Sequence, residues 1–523
     1  MNVRRTMVLA VLLALLSPLA ATAFGGPGEM KPPAEEMTIS VALWDLAEWG
    51  KDPVSQKISA DLKIRLEIMP LSWDNAEEQT NLWAAAGTLP DCTATYTTDQ
   101  DINRFYSWID QGIIRAIPEK LVAKYPTVKK VFDGYSVLQG VKQIKGGYYF
   151  IPRPESLSKQ YKADQTAMYY RTDWAKKLGI AKRPESLDDF YAMAKAFTQK
   201  DPDGNGKNDT YGITSPKGSM MYDLFGYDIE GWMVEDGKWI PAIVSKRTPA
   251  NVAFVQKMYR EGLWDREFSL NGWRQAVQKF SQGTFGMLLR NADVYWINRV
   301  IVKFFGPANP GISDPLAAVG LMGPFTVEGR KAGWPQKNET CGTEISAKVD
   351  DKKLDRILML TEYLMSPQAK EVAHFGILGE DYTVVDGKPQ PKIDPATNAP
   401  IAIASKYPSF SIFTFSDWDF DWDIAEPGNL SISPAIKTLA AENRARYNAA
   451  AVPENLAIRL MSTPAKDELT VFGTWRDAFD QIVQGSEDAA TAWKKFVDEN
   501  MAKGLAKAIE EVNAAAKQKG IKP

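Results

Sequence analysis

Thr38-Ile39-Ser40-Val41-Ala42-Leu43 alternates as a half-buried strand does, and Leu62 to Ile68 alternates again. Helical spacing fills the stretches between and after them, so the chain opens as strand, helix, strand, helix. That succession predicts a parallel α/β sheet. A helix is predicted after Pro184. Ser186 is its N-cap with Asp189 three residues on, and Leu187, Phe190, Tyr191, Ala194 and Phe197 share one face. Another helix runs through Leu354, Ile357, Leu358, Thr361 and Leu364 and ends near Ser366-Pro367. The last 40 residues are rich in Ala, Lys and Glu, with Trp493 and Phe496 among them, and read as a terminal helical region. No internal repeat interrupts this order.

The first 23 residues read differently. Arg4 and Arg5 precede ten apolar residues, Met7 to Leu16; Ser17-Pro18 breaks the run, and Ala21-Thr22-Ala23 is a small-x-small cleavage site. Charged, apolar and small regions in that order predict a secretory signal peptide, and ten residues are too few to span a bilayer. Residues 24–36 are Gly/Pro-rich and are expected to be a flexible segment. The expected destination is the bacterial periplasm.

With 523 residues, the chain exceeds one cooperative unit. A formal charge of −3 offers no basic field for nucleic acid, and one His, His374, excludes His-rich metal sites. Cys92 and Cys341 cannot form a disulfide framework, although an oxidising compartment would allow them to pair.

The sharpest local motif is Asp201-Pro-Asp203-Gly-Asn205-Gly206-Lys207-Asn-Asp209. Side-chain oxygens at loop positions 1, 3, 5 and 9, Gly at 6 and the Lys207 carbonyl at 7 match a Ca²⁺ loop. A hard divalent cation takes six to eight oxygens, and the tight Gly turn lets alternate residues point inward. Position 12 is Gly212, so the usual bidentate Glu is absent and another oxygen or water must complete the shell. The loop directly follows a predicted helix and has no acidic partner for catalysis nearby, so a structural Ca²⁺ is expected.

The other chemical signal is aromatic. Sixteen Trp are present, and Trp44 and Trp49 follow the first strand; Tyr169-Tyr170 precede Arg171, and Tyr295-Trp296 follow Asp293. Ser416 to Asp423 alternates Asp417, Asp419, Asp421 and Asp423 with Trp418, Phe420 and Trp422. Ring faces flanked by carboxylates suit carbohydrate, the rings covering C–H faces while Asp accepts from hydroxyls. Core packing is the expectation for most of the sixteen. The expected sugar-stacking residues are Trp44, Trp296, Trp418 and Trp422; Tyr170, Arg171, Asp293, Asp417 and Asp419 are the expected hydrogen-bonding set. The same carboxylates, Asp417, Asp419, Asp421 and Asp423, allow a paired-carboxylate glycoside hydrolase or lyase as an alternative. A receptor for a non-sugar ligand is a third reading.

The chain resembles the family 1 extracellular solute-binding proteins of bacterial ABC importers, in particular the long branch containing the periplasmic alginate receptors. The resemblance is carried by Ala85-Ala86-Gly87-Thr88-Leu89-Pro90-Asp91, by Gln111-Gly112-Ile113-Ile114 with Ile117-Pro118, and by Gly147-Tyr148-Tyr149-Phe150-Ile151-Pro152. It continues through Tyr170 to Leu178, the loop from Lys200 to Asp209, Gly376 to Gly387 with Tyr382-Thr383-Val384, and the Gly485/Trp493 region. It implies an α/β fold of the class II periplasmic-binding-protein type, two lobes joined by hinge strands, with an oligosaccharide bound in the cleft. Hinge closure would present the loaded monomer to ABC permease subunits in the inner membrane, with no bond of the sugar broken. The implied division is 37–155 for the first part of the N-lobe and 156–335 for the first part of the C-lobe, with the Ca²⁺ loop at 201–212. Residues 336–400 would return to the N-lobe, and 401–523 would form the C-lobe and C-terminal helices. In that branch the residue after the loop's last Asp is often acidic, whereas here it is Thr210.

Overall fold

This computed structural model describes residues 33–72, 75–98, 102–154, 167–217, 224–226, 229–332, 335–336, 339–395, 399–401, 403–415, 432–453 and 455–523. The segment from Asp417 to Asp423 and the leader lie outside the described residues.

Two sheets organise the molecule. The first contains β1 (Met37–Ala42), β2 (Ile64–Ile68), β3 (Cys92–Thr95) and β4 (Phe150–Pro154). The second contains β5 (Ala167–Arg171) and β6 (Tyr211–Thr214); a hairpin, β7 (Trp232–Glu235) and β8 (Lys238–Pro241), stands apart from it. The second sheet is completed by β9 (Phe285–Arg290) and β10 (Val319–Met322), after which β11 (Glu339–Ile345) returns to the first. The orders are β2-β1-β3-β11-β4 and β10-β5-β9-β6.

In the first sheet β1 is parallel to β2 and to β3, as the alternating opening runs predict, and β11 is antiparallel to both β3 and β4. Helix Pro53–Leu62 makes the β1-to-β2 crossover, started by Asp52 in a capping box with Ser55. Antiparallel β11 therefore lets β1, β3 and β4 all point their C-terminal ends to one edge. In the second sheet β9 runs parallel to β6 and antiparallel to β5. Alternation buries both of its faces: Met168, Met287 and Leu289 enter one core cluster, while Ala167, Tyr169 and Leu288 enter another.

The C-terminal part of the chain is shared between lobes, unlike the expected break at 400. Ile403, Tyr407, Ile412 and Phe415 pack into the core of the first lobe. Trp475, Phe479, Val483 and Trp493 pack into the second. Apolar side chains on both segments face whichever core lies beside them, a choice that sequence spacing does not encode. Between these regions, Asn455–Asp467 ties to the first lobe: the Tyr106 hydroxyl donates to the Leu460 carbonyl (2.8 Å), Arg459 to that of Thr98 (2.7 Å) and Asn103 to that of Lys466 (2.9 Å). Buried Glu344 on β11 accepts from Thr95 (2.6 Å) and pairs with Arg104 at 3.2 Å.

The helix predicted after Pro184 spans Leu187–Gln199, with the Ser186–Asp189 capping box formed. The helix through Leu354 spans Asp351–Leu364. Ile345, not Cys341, stands opposite Cys92 in the β3–β11 register. The two sulfurs are thus about four strand residues apart, roughly 13 Å, beyond disulfide reach. Among the described residues no helix is long and apolar enough to cross a membrane.

Candidate functional site

In open α/β sheets ligands gather beyond the C-terminal ends of the strands. Here the first sheet brings Trp44 and Asp45 beyond β1, Tyr96 beyond β3 and Arg153 near the end of β4 to that edge. Asp45 adopts φ 59°, a left-handed conformation uncommon outside glycine and worth notice at a strand end. In the second sheet β9 ends at Arg290 and leads to Asp293, Tyr295 and Trp296. The two edges face each other. Burial raises the Tyr295 hydroxyl against an opposing pull from Arg299, and Asp45 of the other lobe adds to the rise. Burial likewise lowers Arg290 to about 10, while Tyr169, Asp293 and Tyr96 of the other lobe oppose the fall.

The C-lobe side of this cleft is an arginine–aromatic cluster. Asp293 caps helix Val294–Ile297, accepting from the Trp296 amide at 2.9 Å, which fixes where the helix starts. Tyr295 and Trp296 follow on that first turn, with Arg299 one turn beyond. Trp273 meets Trp296 edge-on with centroids 5.0 Å apart. The Arg290 guanidinium lies 3.7 Å over the Trp296 ring; that of Arg299 lies 4.6 Å over Trp273 and bonds the Tyr295 hydroxyl.

The expected binding residues separate on this geometry. Trp296 is half-buried in the cleft and Asp293 sits beneath it as its cap. Trp44 reaches the cleft edge but is only 1% exposed, with Arg153 over its ring at 4.9 Å and Tyr96 tilted against it at 5.4 Å. As it stands, Trp44 is a core residue with no open face for a sugar. Tyr170 lies within the sheet, opposite Met287 and Gly320. A Cβ at position 320 would fall 2.9 Å from its ring, so only glycine admits that packing.

Arg171 sits at the wrong end of its strand for the cleft. Ala167 pairs with Arg290 at the cleft edge, which sends Arg171, paired with Val319, to the opposite edge. There it forms a fork with Asp173 (2.7 and 2.5 Å) and lies over Trp174 and Phe305. It is a structural arginine. Asp417, Trp418, Asp419 and Trp422 fall outside the described residues.

The 201–209 loop precedes β6 and therefore lies at that same far edge. Arg171, Asp173, Lys177 and Asp203 line a cavity of about 420 Å³ beside it. Gly204 and Gly206 take φ of 76° and 77°, making the turn that folds the loop inward. Asp201 accepts from the amides of Gly204, Asn205 and Gly206 (3.0 to 3.1 Å). The Asn205 amide nitrogen bridges Asp203 (2.7 Å) and Asp209 (3.1 Å), occupying the place between carboxylates that a cation would take. Hydrogen bonding with Asp203 lowers Asp201, while burial and the same contact raise Asp203. Among the described residues no three acidic, His or Cys side chains form a ready cation cage. The oxygen-rich donor set nevertheless fits a hard cation once Asn205 turns its oxygen inward.

Sequence reading missed Trp273, Arg290 and Arg299 as site residues. A usable signal existed for Arg299, which stands three and four residues after Trp296 and Tyr295 on one helical face. None existed for Trp273, which reaches the site by packing. His374, the lone imidazole, is lowered to about 3 by burial and stays neutral, as a shuttle at neutral pH could not.

Residues 55–369 match the bacterial extracellular solute-binding protein family, and the chain belongs to it. It is 30% identical over 257 residues to the lipoprotein LipO of Bacillus subtilis (strain 168), covering 47% of this chain and 48% of LipO. It is 28% identical over 253 residues to the polygalacturonan/rhamnogalacturonan-binding protein YtcQ of the same strain, covering 46% and 47%. The chain thus spans about half the length of the curated relatives it matches. The solved structure of the alginate-binding protein AlgQ2 without calcium ion superposes with a TM-score of 0.70 at 18% identity, covering 93% of this chain and 99% of that one. That likeness establishes the two-lobed α/β fold. The family, YtcQ and AlgQ2 are binding proteins rather than enzymes.

Proposed function

We propose that this solute-binding protein is the periplasmic receptor of an ABC importer, exported by a leader cleaved near Ala23, and that it captures an oligosaccharide between its lobes. The observation that carries the reading is the cleft itself: strand ends of two sheets face one another across half-exposed Trp296, Trp273 and Tyr295. Ring faces of that kind cover the C–H faces of pyranoses. The names of YtcQ and AlgQ2 as polysaccharide binders support a sugar ligand. Closure would sequester the sugar and present both lobes to the permease as one surface, the receptor acting as a monomer. Asp417, Asp419, Trp418 and Trp422 remain proposed contributors, and the sugar leaves chemically unchanged.

Ca²⁺ would be held by Asp201, Asp203, Asn205 and Asp209 with the Lys207 carbonyl. The ion would neutralise three carboxylates and lock the loop that leads into β6. Its distance from the cleft along β5 makes the role structural.

Tryptophan fluorescence titration over neutral and acidic oligosaccharides tests the receptor reading, with chromatography of the recovered sugar. Saturable binding with the glycan returned intact supports it; released reducing ends lost on Asp417→Asn or Asp421→Asn would replace it with a glycosidase. For Ca²⁺, chelation is expected to lower the melting temperature. An unchanged melt would remove the metal.

A further inference from the structure

We infer that the cleft selects oligosaccharides bearing an anionic group on a sugar ring, with Arg299 and Arg290 as the charge-reading residues beside Trp296. This rests on the receptor reading and concerns the same cleft. Two other shielded arginines have carboxylates, Arg104 with Glu344 and Arg171 with Asp173, and a third, Arg356, donates to the backbone carbonyls of Leu62 and Lys63. Arg290 and Arg299 have no carboxylate within ion-pair distance among the described residues. Arg290 donates to the Asn291 side chain at 3.0 Å, and its buried Nε has no hydrogen-bond partner. Arg299 spends one nitrogen on the Tyr295 hydroxyl. Both guanidinium groups lie over aromatic rings, 3.7 Å from Trp296 for Arg290 and 4.6 Å from Trp273 for Arg299. Arg274 adds a third cation 4.3 Å over Trp273.

Stacking of this kind fixes the plane of a guanidinium and leaves its edge N–H groups directed outward. A planar fork of donors matches a carboxylate bidentately, and charge assistance roughly doubles the strength of each hydrogen bond. The nearby carboxylates do not cancel the cluster. Asp293 and, from the opposite lobe, Asp45 act on this cluster as two carboxylates against the three guanidinium groups of Arg274, Arg290 and Arg299, which leaves it net positive. Burial already works against the Arg290 charge, so an anion arriving in the cleft relieves a cost that a neutral sugar leaves in place. The whole chain carries a formal charge of −3, so this concentration of cations is local.

The test is calorimetric titration of the full chain with tetragalacturonate, its methyl ester and a sulfated galactose tetrasaccharide, at low and high salt. The acid is expected to bind at least about tenfold tighter than the ester and to lose several-fold in affinity as salt rises. Arg299→Gln, and separately Arg290→Gln, are expected to collapse the acid-to-ester ratio toward one, with melting curves confirming folded variants. Tight binding of the sulfated probe alone keeps the inference, with a sulfate ester as the anion. Equal affinity for acid and ester, or equal weakening of both by Arg299→Gln, overturns the charge reading while leaving the receptor intact. If no saccharide binds, acidic or neutral, the receptor reading fails and this inference with it.

Discussion

Trp44 and Trp296 follow strand ends on opposite lobes, and both stand at the cleft. Trp44 is 1% exposed beneath Arg153 and Tyr96, whereas Trp296 keeps part of its ring open while Arg290 covers one face. The same contrast separates Arg171, forked to Asp173, from Arg290, which has no ion-paired carboxylate among the described residues. It also separates two equally buried carboxylates at 6% exposure. Asp52 accepts from Ser55 (3.0 Å) and twice from Ser409 (2.9 and 3.0 Å); neither oxygen of Asp480 has a hydrogen bond among the described residues. A residue whose partners come from its own lobe holds that lobe together. One whose valences stay open is available to something else, or is a cost the fold tolerates.

The hardest blow to this contrast is expected from Trp44→Ala, which removes a buried ring and should cost about 3–5 kcal/mol in chemical denaturation. A loss below about 1 kcal/mol, with binding abolished, would make Trp44 a ligand platform after all. Arg171→Lys is expected to cost about 1–3 kcal/mol by losing the fork to Asp173, with sugar affinity unchanged by titration.

Asp480 gives the pH-dependent case. Burial raises it to about 6, with Lys217 at 4.0 Å opposing the rise. The folded state therefore keeps a proton that the unfolded chain releases, and stability falls as pH climbs from about 4 to 6. Asp480→Asn is expected to stabilise the protein by about 1–2 kcal/mol at pH 7.5 and by nothing at pH 4, read from melts at the two pH values. A gain of equal size at both would mean that charge burial is not its cause. The smallest stability change is expected from Trp296→Ala, below about 1.5 kcal/mol, yet with sugar affinity reduced at least about tenfold.

What the sequence disclosed follows the range over which each interaction acts. Ser186 and Asp189 announce their capping box because both partners lie within one turn. The opening alternation announces β1 and β2 for the same reason. Arg171 misleads because its edge of the sheet is set by the antiparallel register of β5 with β9, whose strand begins 114 positions later at Phe285. Trp44 misleads because its cover, Arg153, comes from another strand. Asp293 looked like a ligand-facing acid; its i to i+3 spacing with Trp296 equally spells an N-cap, and that is the contact formed.

The placement of β11 has a consequence in time. This strand lies between β3 and β4 but is drawn from Glu339–Ile345, after the whole second sheet in chain order. Until it arrives, β3 and β4 present open backbone edges and Arg104 waits without Glu344. The lobe that begins first therefore finishes late, and its assembly rests on a long-range closure that is intrinsically slow. A fragment ending at 155 would carry four of the five strands, with β1, β2 and β3 able to pair and β4 left without a neighbour. The two lobes are separate in space, yet the first cannot complete its sheet without chain that lies beyond the second.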